Sequence, residues 1–510
     1  MATGIIDNGN IDDGSFDDGS FDDGRVDDGR VEDRNAGDAD AALEAETTGH
    51  SGLAYALRLW APPGEPLGRY LLHAGAMLVI GITALSGSVK QALPPLPIDL
   101  TLASTILTVV LGLSFAVLSG RWPSSRQLTV LGLLLLMALA GAATVVPSDY
   151  GIIKVDRLFA VTLLATVGAV LPVRHHRDGY RVLLYLAGVC LVLTLWIALT
   201  GQRQFGDGGR LVTELGSTIS FGRAAGFVIV VAIAWLLTSR RLTLPGVGLV
   251  LAIMMFQVWT MFAIGSRGPI QAVVMAIGAM LLLQTIRIKG RVVWRSAVAL
   301  AGLTFGLWAV WDAIPINSRN RIVGFSGASA DARGYAWGLA WRSLEVSPLG
   351  TGWASFSRLQ EADGLTYPHN LFLEVWFEAG VVGLLALCGV LFLVYNQQRQ
   401  IFRFDPVTAT LAVGSVTYWL AASMVRGDVN DNKVLWIVIA AVPGSLLLSA
   451  IPARERATGN LGPTPGPLSS PATHEGSGLA SAQPGQPPAR SRHRYSARSA
   501  ASPDAGDSQR

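Results

Sequence analysis

Charge is scarce in this 510-residue chain: Asp, Glu, Lys and Arg make up 15% of it, against 51% hydrophobic residues, and the mean hydropathy is +0.43. Such a composition excludes an array of soluble domains and points to a membrane protein. Cysteine is nearly absent. The two present, Cys190 and Cys388, fall inside apolar stretches and read as small core hydrophobes, silent on redox compartment. A basic leader segment is also missing: the first apolar run begins near residue 70, behind an acidic polar tail, so a cleavable signal peptide is not expected. The net charge of +3 is small and conceals an acidic N-terminus and a basic C-terminus, neither of which argues for nucleic acid as a partner.

The chain has long apolar blocks instead. Residues 71–89, 127–146 and 182–200 contain no Asp, Glu, Lys or Arg, and each is long enough for the roughly 18–20 residues that cross a bilayer. Lipid offers their backbone no partner, so they must be helices. The pattern predicts an all-α, polytopic fold of about twelve transmembrane helices. They are expected near 70–89, 98–119, 127–146, 157–173, 182–200, 224–238, 244–264, 269–286, 295–312, 371–396, 407–425 and 434–452. This domain, 69–452, lies between two tails expected to be disordered. Residues 1–68 carry an acidic five-residue repeat (IDNGN, IDDGS, FDDGS, FDDGR, VDDGR, VEDRN), and 453–510 are rich in Pro, Ser, Ala and Gly.

Alternate loops separate by charge. SGRWPSSRQ, VRHHRDGYR, SRRLT, IRIKGRVVWR and QQRQIFRF are short and basic, which assigns them to the cytoplasm and both termini with them. The loops 201–223 and 426–433, the turn at Ser266–Gly268 and the long segment 313–370 are then external, which in a bacterial inner membrane means periplasmic.

The residues able to do chemistry cluster on that external side. Arg267, in GSRGPI, sits between two apolar stretches with almost no loop to hold it away from the membrane, which makes it a functional candidate; a snorkelling arginine at a helix end is the alternative. Gly265 and Gly268 beside it would let backbone or ligand come close. Within 313–370, the stretch Arg333–Val346 reads as a helix lying in the bilayer interface, with Trp337, Trp341 and Leu344 on one face and Arg333 and Arg342 meeting headgroups. Next comes Pro368-His369-Asn370 at the start of a transmembrane helix, followed by Glu374, Glu378, Gly380 and Gly383. His369 can accept a proton near neutral pH and is a plausible general base, although a histidine there can also be a cap or a headgroup contact. Glu374 and Glu378, one turn apart, would repel if both were ionised and buried, so at least one should face water, orient His369 or pair with an arginine.

Together, GSRGPI, the run SPLGTGWASF and HNLFLEVWFEAGVVGLL resemble the O-antigen ligase and polymerase superfamily of bacterial membrane glycosyltransferases. The resemblance spans roughly residues 200–400, and implies a metal-independent enzyme that takes a glycan from undecaprenyl diphosphate at the periplasmic face and joins it to an acceptor sugar or lipid-linked acceptor. His369 would activate the acceptor hydroxyl and Arg267 would bind the diphosphate. Arg333 matches the pattern less closely; Arg223 and Arg210, taken from their position in the external loop 201–223, together with Asn370 and Glu374 complete the candidate substrate-binding residues. The chemistry agrees: a departing diphosphate gathers negative charge, and guanidinium groups suit phosphate oxygens. No cofactor is implied, and the partners are the lipid-linked donor, the acceptor and membrane lipids. The stretch ELGSTISFGRAAG is only loosely like the family pattern.

Other readings stay open. Asp428 and Asp431 of GDVNDN could hold a metal, although Asn- and Asp-rich turns form for conformational reasons alone. A transporter or flippase of lipid-linked sugars would also need many helices and arginines, yet it would set them near the midplane in two related halves. An inactive scaffold of a polysaccharide assembly is a third possibility. No residue separates ligase from polymerase.

Overall fold

A computed structural model describes residues 67–93, 97–120, 122–145, 148–204, 210–212, 218–239, 243–285, 301, 328–359, 365–425 and 427–443. Both expected tails, apart from the start of the first helix, and the expected span at 295–312 lie outside these residues.

The described chain is helical throughout, apart from one short ladder. In order, the helices are α1 (Leu67–Ala84), α2 (Ser86–Ala92), α3 (Leu100–Ser119), α4 (Ser125–Ala142), α5 (Asp149–Asp156), α6 (Leu164–Val170) and α7 (His176–Thr200), a π-helical segment (Arg157–Leu163) joining α5 to α6. After β1 (Gln202–Gln204) and β2 (Arg210–Val212), an antiparallel pair, come α8 (Thr218–Thr238), α9 (Leu244–Ile264), α10 (Arg267–Gln284), α11 (Ala328–Val346), α12 (Leu371–Ile401), α13 (Pro406–Ser423) and α14 (Lys433–Ala441).

Local sequence explains many of the helix boundaries. Asp99 accepts hydrogen bonds from the Thr101 and Leu102 amides and opens α3, Ser124 and Gln127 form a capping box at α4, and Asp405 followed by proline starts α13. Among the described residues, seven helices are long and apolar enough to cross a membrane, or eight if α1 and α2, bent by 72° at Leu85, count as one span. The chain is thus a multi-pass membrane protein. The other expected spans correspond to the α5–α6 run, to α13 and to α14, which ends at Ala441, while residues 444–452 of the last expected span lie outside the described residues.

Three of the basic loops gather at one end of the bundle. Gln127 of the first donates to the Val173 carbonyl of the second at 3.0 Å, and His176 of the second meets Asp405 at 3.2 Å, beside Phe404 of the third.

Two expectations need correction. Arg223 is not in a loop: α8 begins at Thr218, five residues earlier, because its apolar face is buried against α13 and that packing overrides the polar sequence ahead of it. The face of α11 also differs. Ala336, Leu339, Ala340 and Leu344 are buried against Phe356 and Phe377, whereas Trp337 and Trp341 stay largely exposed, so Leu344 belongs to the packed side.

Candidate active site

α12 does not run straight. Gly380 has φ 69° and ψ −169°, a backbone state open in practice only to glycine, and it breaks the helix two residues after Glu378. The break frees carbonyls that hydrocarbon could not satisfy. The segment 347–356, which we term the strap, supplies their partners. The Thr351 amide donates to the Phe377 carbonyl at 3.0 Å, the Gly352 amide to the Glu378 carbonyl at 2.9 Å, and the Val381 amide donates to the Pro348 carbonyl at 3.1 Å. The strap is tied on its other side to α4, where Trp353 donates its backbone amide to Gly141 and its indole to Ala138, at 2.9 and 2.7 Å. The SPLGTGWASF run is therefore the backbone complement of a kinked helix.

Ahead of the kink stands a buried ionic cluster. Lys154 of α5 donates to Glu374 Oε1 at 2.7 Å and to Glu378 Oε2 at 2.6 Å, and all three side chains are inaccessible to solvent. The two glutamates do lie one turn apart, and the charge between them is a lysine rather than an arginine. Glu374 Oε1 also accepts the Val429 amide at 3.1 Å, while Asn430 donates its side-chain amide to the Lys154 carbonyl at 2.9 Å. The Trp353 ring lies 5.5 Å from the ammonium.

The loop 427–432 is held by its own acids. Asp428 Oδ1 accepts the amides of Asn430 and Asp431 at 2.8 and 2.9 Å, and its Oδ2 accepts the Tyr150 hydroxyl at 3.2 Å. This is the turn geometry that a short Asn- and Asp-rich loop favours. Burial, and then the charge of Asp428, push the Asp431 carboxyl above the usual carboxylate range. Among the described residues no group of three or more His, Cys, Asp and Glu side chains is arranged to hold a metal ion.

His369 and Asn370 begin α12. Asn370 is its N-cap, accepting the Phe372 and Leu373 amides at 3.1 and 3.2 Å. His369 has φ 55°, a left-handed conformation that a non-glycine residue holds only when its surroundings require it, and its ring lies edge-on to Tyr367 at 4.4 Å.

Arg267 is the first residue of α10, half-buried behind the two-residue turn that follows α9. Two close approaches fix this turn. A Cβ at Gly222 would stand 3.2 Å from Pro269 and Ser266, and one at Gly268 would collide with Val425 at 2.6 Å. The neighbour of Gly222 is Arg223, which is buried; it donates to the Ala422 carbonyl and, at 3.4 Å, to Asn432 Oδ1, while its own carbonyl accepts the Tyr418 hydroxyl at 2.7 Å.

Between α11 and the start of α12 opens a cavity of about 770 Å³, lined in part by Trp337, Trp341, Arg342, Asn370, Trp376 and Met424. Trp341 and Trp376 meet edge to face at 5.6 Å. Asn370 follows His369, and Met424 precedes the Val425 that packs on Gly268. The histidine and the Arg267 turn therefore share one end of the bundle, opposite the three basic loops.

The remaining expected site residues are placed as follows. Arg333 lies half-buried near the start of α11, and Arg210 is on β2 opposite Gln204. Glu374 has no surface for a ligand to touch. The partner that sequence reasoning missed is Lys154, which a span beginning at 157 leaves in a loop. The signal was available, since two glutamates a turn apart in an apolar helix demand a cation.

Residues 252–388 match the family model described as O-Antigen ligase, a segment that holds the Arg267 turn, the strap, His369 and the kinked half of α12. No curated protein and no solved structure matches the chain. The matched segment, about a quarter of the chain, supports the resemblance to the O-antigen ligase and polymerase superfamily and points to activity of that type.

Proposed function

We propose that this O-antigen ligase-like chain transfers a glycan from undecaprenyl diphosphate to an acceptor sugar at the periplasmic face of the bacterial inner membrane, building surface polysaccharide or exopolysaccharide as a ligase or a polymerase. The observation that carries the reading is the aromatic-walled cavity beside His369, at the bundle end where Arg267 and Arg223 lie. The positive-inside distribution of the basic loops supports a periplasmic position for that end.

In this mechanism the acceptor hydroxyl oxygen forms a bond to the anomeric carbon of the donor glycan as the bond from that carbon to the diphosphate oxygen breaks. His369 takes the hydroxyl proton. Charge accumulates on the departing undecaprenyl diphosphate, and Arg267 meets it with a planar fork of donors, with Arg333, Arg223 and Arg210 adding positive potential around it. Asn370 acts through the helix start it caps, and Glu374 through the buried cluster. The chemistry invokes no metal and no cofactor.

The test is the size distribution and lipid attachment of surface polysaccharide in cells lacking the protein, complemented with wild type, His369→Ala or Arg267→Lys. Wild type restores long or anchored glycan, His369→Ala inserts in the membrane and restores none, and Arg267→Lys restores a reduced amount because a point charge does not replace the guanidinium fork. Full rescue by His369→Ala removes the transferase reading in favour of a transporter or scaffold, and full rescue by Arg267→Lys reduces that residue to an anchor.

A further inference from the structure

We propose that Lys154 is a positioning residue of the site: its one ammonium fixes the start of α12, the strap and loop 427–432 against each other, and thereby sets where His369 and Arg223 stand. The inference deepens the proposed transferase reading and takes its functional consequence from it.

Three links converge on this lysine. The first runs to Glu374, four residues after Asn370 and five after His369, so the ion pair at 2.7 Å holds the first turn of α12 that carries the histidine. The second runs to Glu378 at 2.6 Å, whose carbonyl accepts the Gly352 amide at 2.9 Å, so the same ammonium anchors the segment to which the strap is bonded. The third leaves through the backbone: Asn430 donates to the Lys154 carbonyl at 2.9 Å, and Glu374 Oε1, already bound to Lys154, also accepts the Val429 amide at 3.1 Å. Loop 427–432 is thus seated on the lysine from two directions, and its far end, Asn432, accepts Arg223 at 3.4 Å. The path from Lys154 to Arg223 contains only short contacts, as does the path to His369.

A buried ion pair is weak evidence for stability, because hydrophobic groups of similar size would often serve as well or better. What such a pair can do is specify one arrangement of the segments it joins. The second Glu374 oxygen, Oε2, is buried with no hydrogen-bond partner among the described residues, which would be a poor choice for a cluster that only had to hold helices together, and the Glu378 carboxylate is also met by the Ala354 amide of the strap.

The test compares full-length wild type with Lys154→Met, Lys154→Arg and the charge-balanced triple variant Lys154→Met/Glu374→Gln/Glu378→Gln. Lys154→Met leaves two buried carboxylates without their cation and is expected to insert poorly, so the triple variant carries the decision. Two readouts are taken: hydrogen exchange of the purified protein in detergent, and surface polysaccharide in complemented cells. The triple variant is expected to insert and melt cooperatively, to exchange the Val429, Thr351 and Gly352 amides about tenfold faster than wild type with α9 and α10 unchanged, and to make at most about a tenth of the wild-type glycan. Lys154→Arg should recover part of both. Unchanged protection at those amides overturns the proposal outright, as does wild-type glycan from the triple variant, and so does a triple variant that fails to fold, since the cluster is then simply part of the core. The exchange readout does not depend on the reaction. If His369→Ala makes wild-type glycan while the triple variant still loosens the loop and strap, the transferase reading fails and the positioning of the three segments stands.

Discussion

At the end of the bundle that carries the candidate site, Lys154, Glu374 and Glu378 are wholly buried and bonded to one another and to a loop amide. At the opposite end the charged groups serve helix starts, and Arg181, His176 and Asp405 keep part of their surface in water. Asp178 accepts the Arg174 and His175 amides at the start of α7, with Arg181 beside it at 3.1 Å, and Asp405 caps α13 while meeting His176 at 3.2 Å. At the basic end each acid serves a helix within a few residues of itself, and the long-range pair of Asp405 with His176 is added to that local cap. The site end is built from contacts between residues more than two hundred positions apart, such as Lys154 with Glu374 and Arg223 with Asn432.

The difference can be broken by mutation, beginning where it should be largest. Lys154→Met should lower stability by about 3–5 kcal/mol, the usual consequence of removing one partner of a buried ionic cluster, read as thermal unfolding of the detergent-purified protein. A loss below about 1 kcal/mol would put the site end in the same class as the basic end. Gly380→Ala should follow. The new methyl group would meet the Leu349 carbonyl, and the backbone there suits glycine alone, so a loss of about 1–3 kcal/mol and displacement of the strap are expected, the latter read as faster exchange of the Thr351 and Gly352 amides.

The smallest effect concerns pH at the basic end. Although burial pushes Asp405 upward, its hydrogen bonds from His176 and Thr408 win and hold its carboxyl at about 2. A carboxylate depressed in the folded protein contributes stability that is fully present above the unfolded value, near 3.8, and is lost as pH falls toward 2. Asp405→Asn keeps the cap but removes the charge, so it should flatten the acid unfolding profile between about pH 4 and pH 2 by about 1 kcal/mol after allowing for solvent screening. An unchanged profile would show that the ion pair with His176 adds nothing to the cap.

This asymmetry also governs what the sequence made legible. The membrane class, the helices and the basic loops are written in hydropathy and charge, which act over one span at a time. The candidate residues His369, Asn370 and Arg267 stood out for the same reason, each being an unusual residue at the edge of an apolar run. Lys154 did not, because its meaning depends on Glu374 and Glu378, more than two hundred residues away. The start of α8 was misplaced for a related cause: Thr218 and Ser220 look like loop, and only packing against α13, through the Tyr418 hydroxyl on the Arg223 carbonyl, makes them helix. The strap was quoted as a motif, but its task of completing a broken helix cannot be read without knowing that Gly380 breaks it.

The union of strap and kink bears on how a substrate could come and go. Lifting residues 347–353 away from α12 would leave the carbonyls of Phe377 and Glu378, both in buried residues, without their partners, each at a penalty of several kcal/mol if no water reached them. The roof over α12 is therefore riveted rather than hinged, and the opening that remains is the flank cavity walled by tryptophans of α11 and α12. Under the proposed function, a lipid-linked donor would present its head to His369 through that flank while its hydrocarbon tail stayed in lipid.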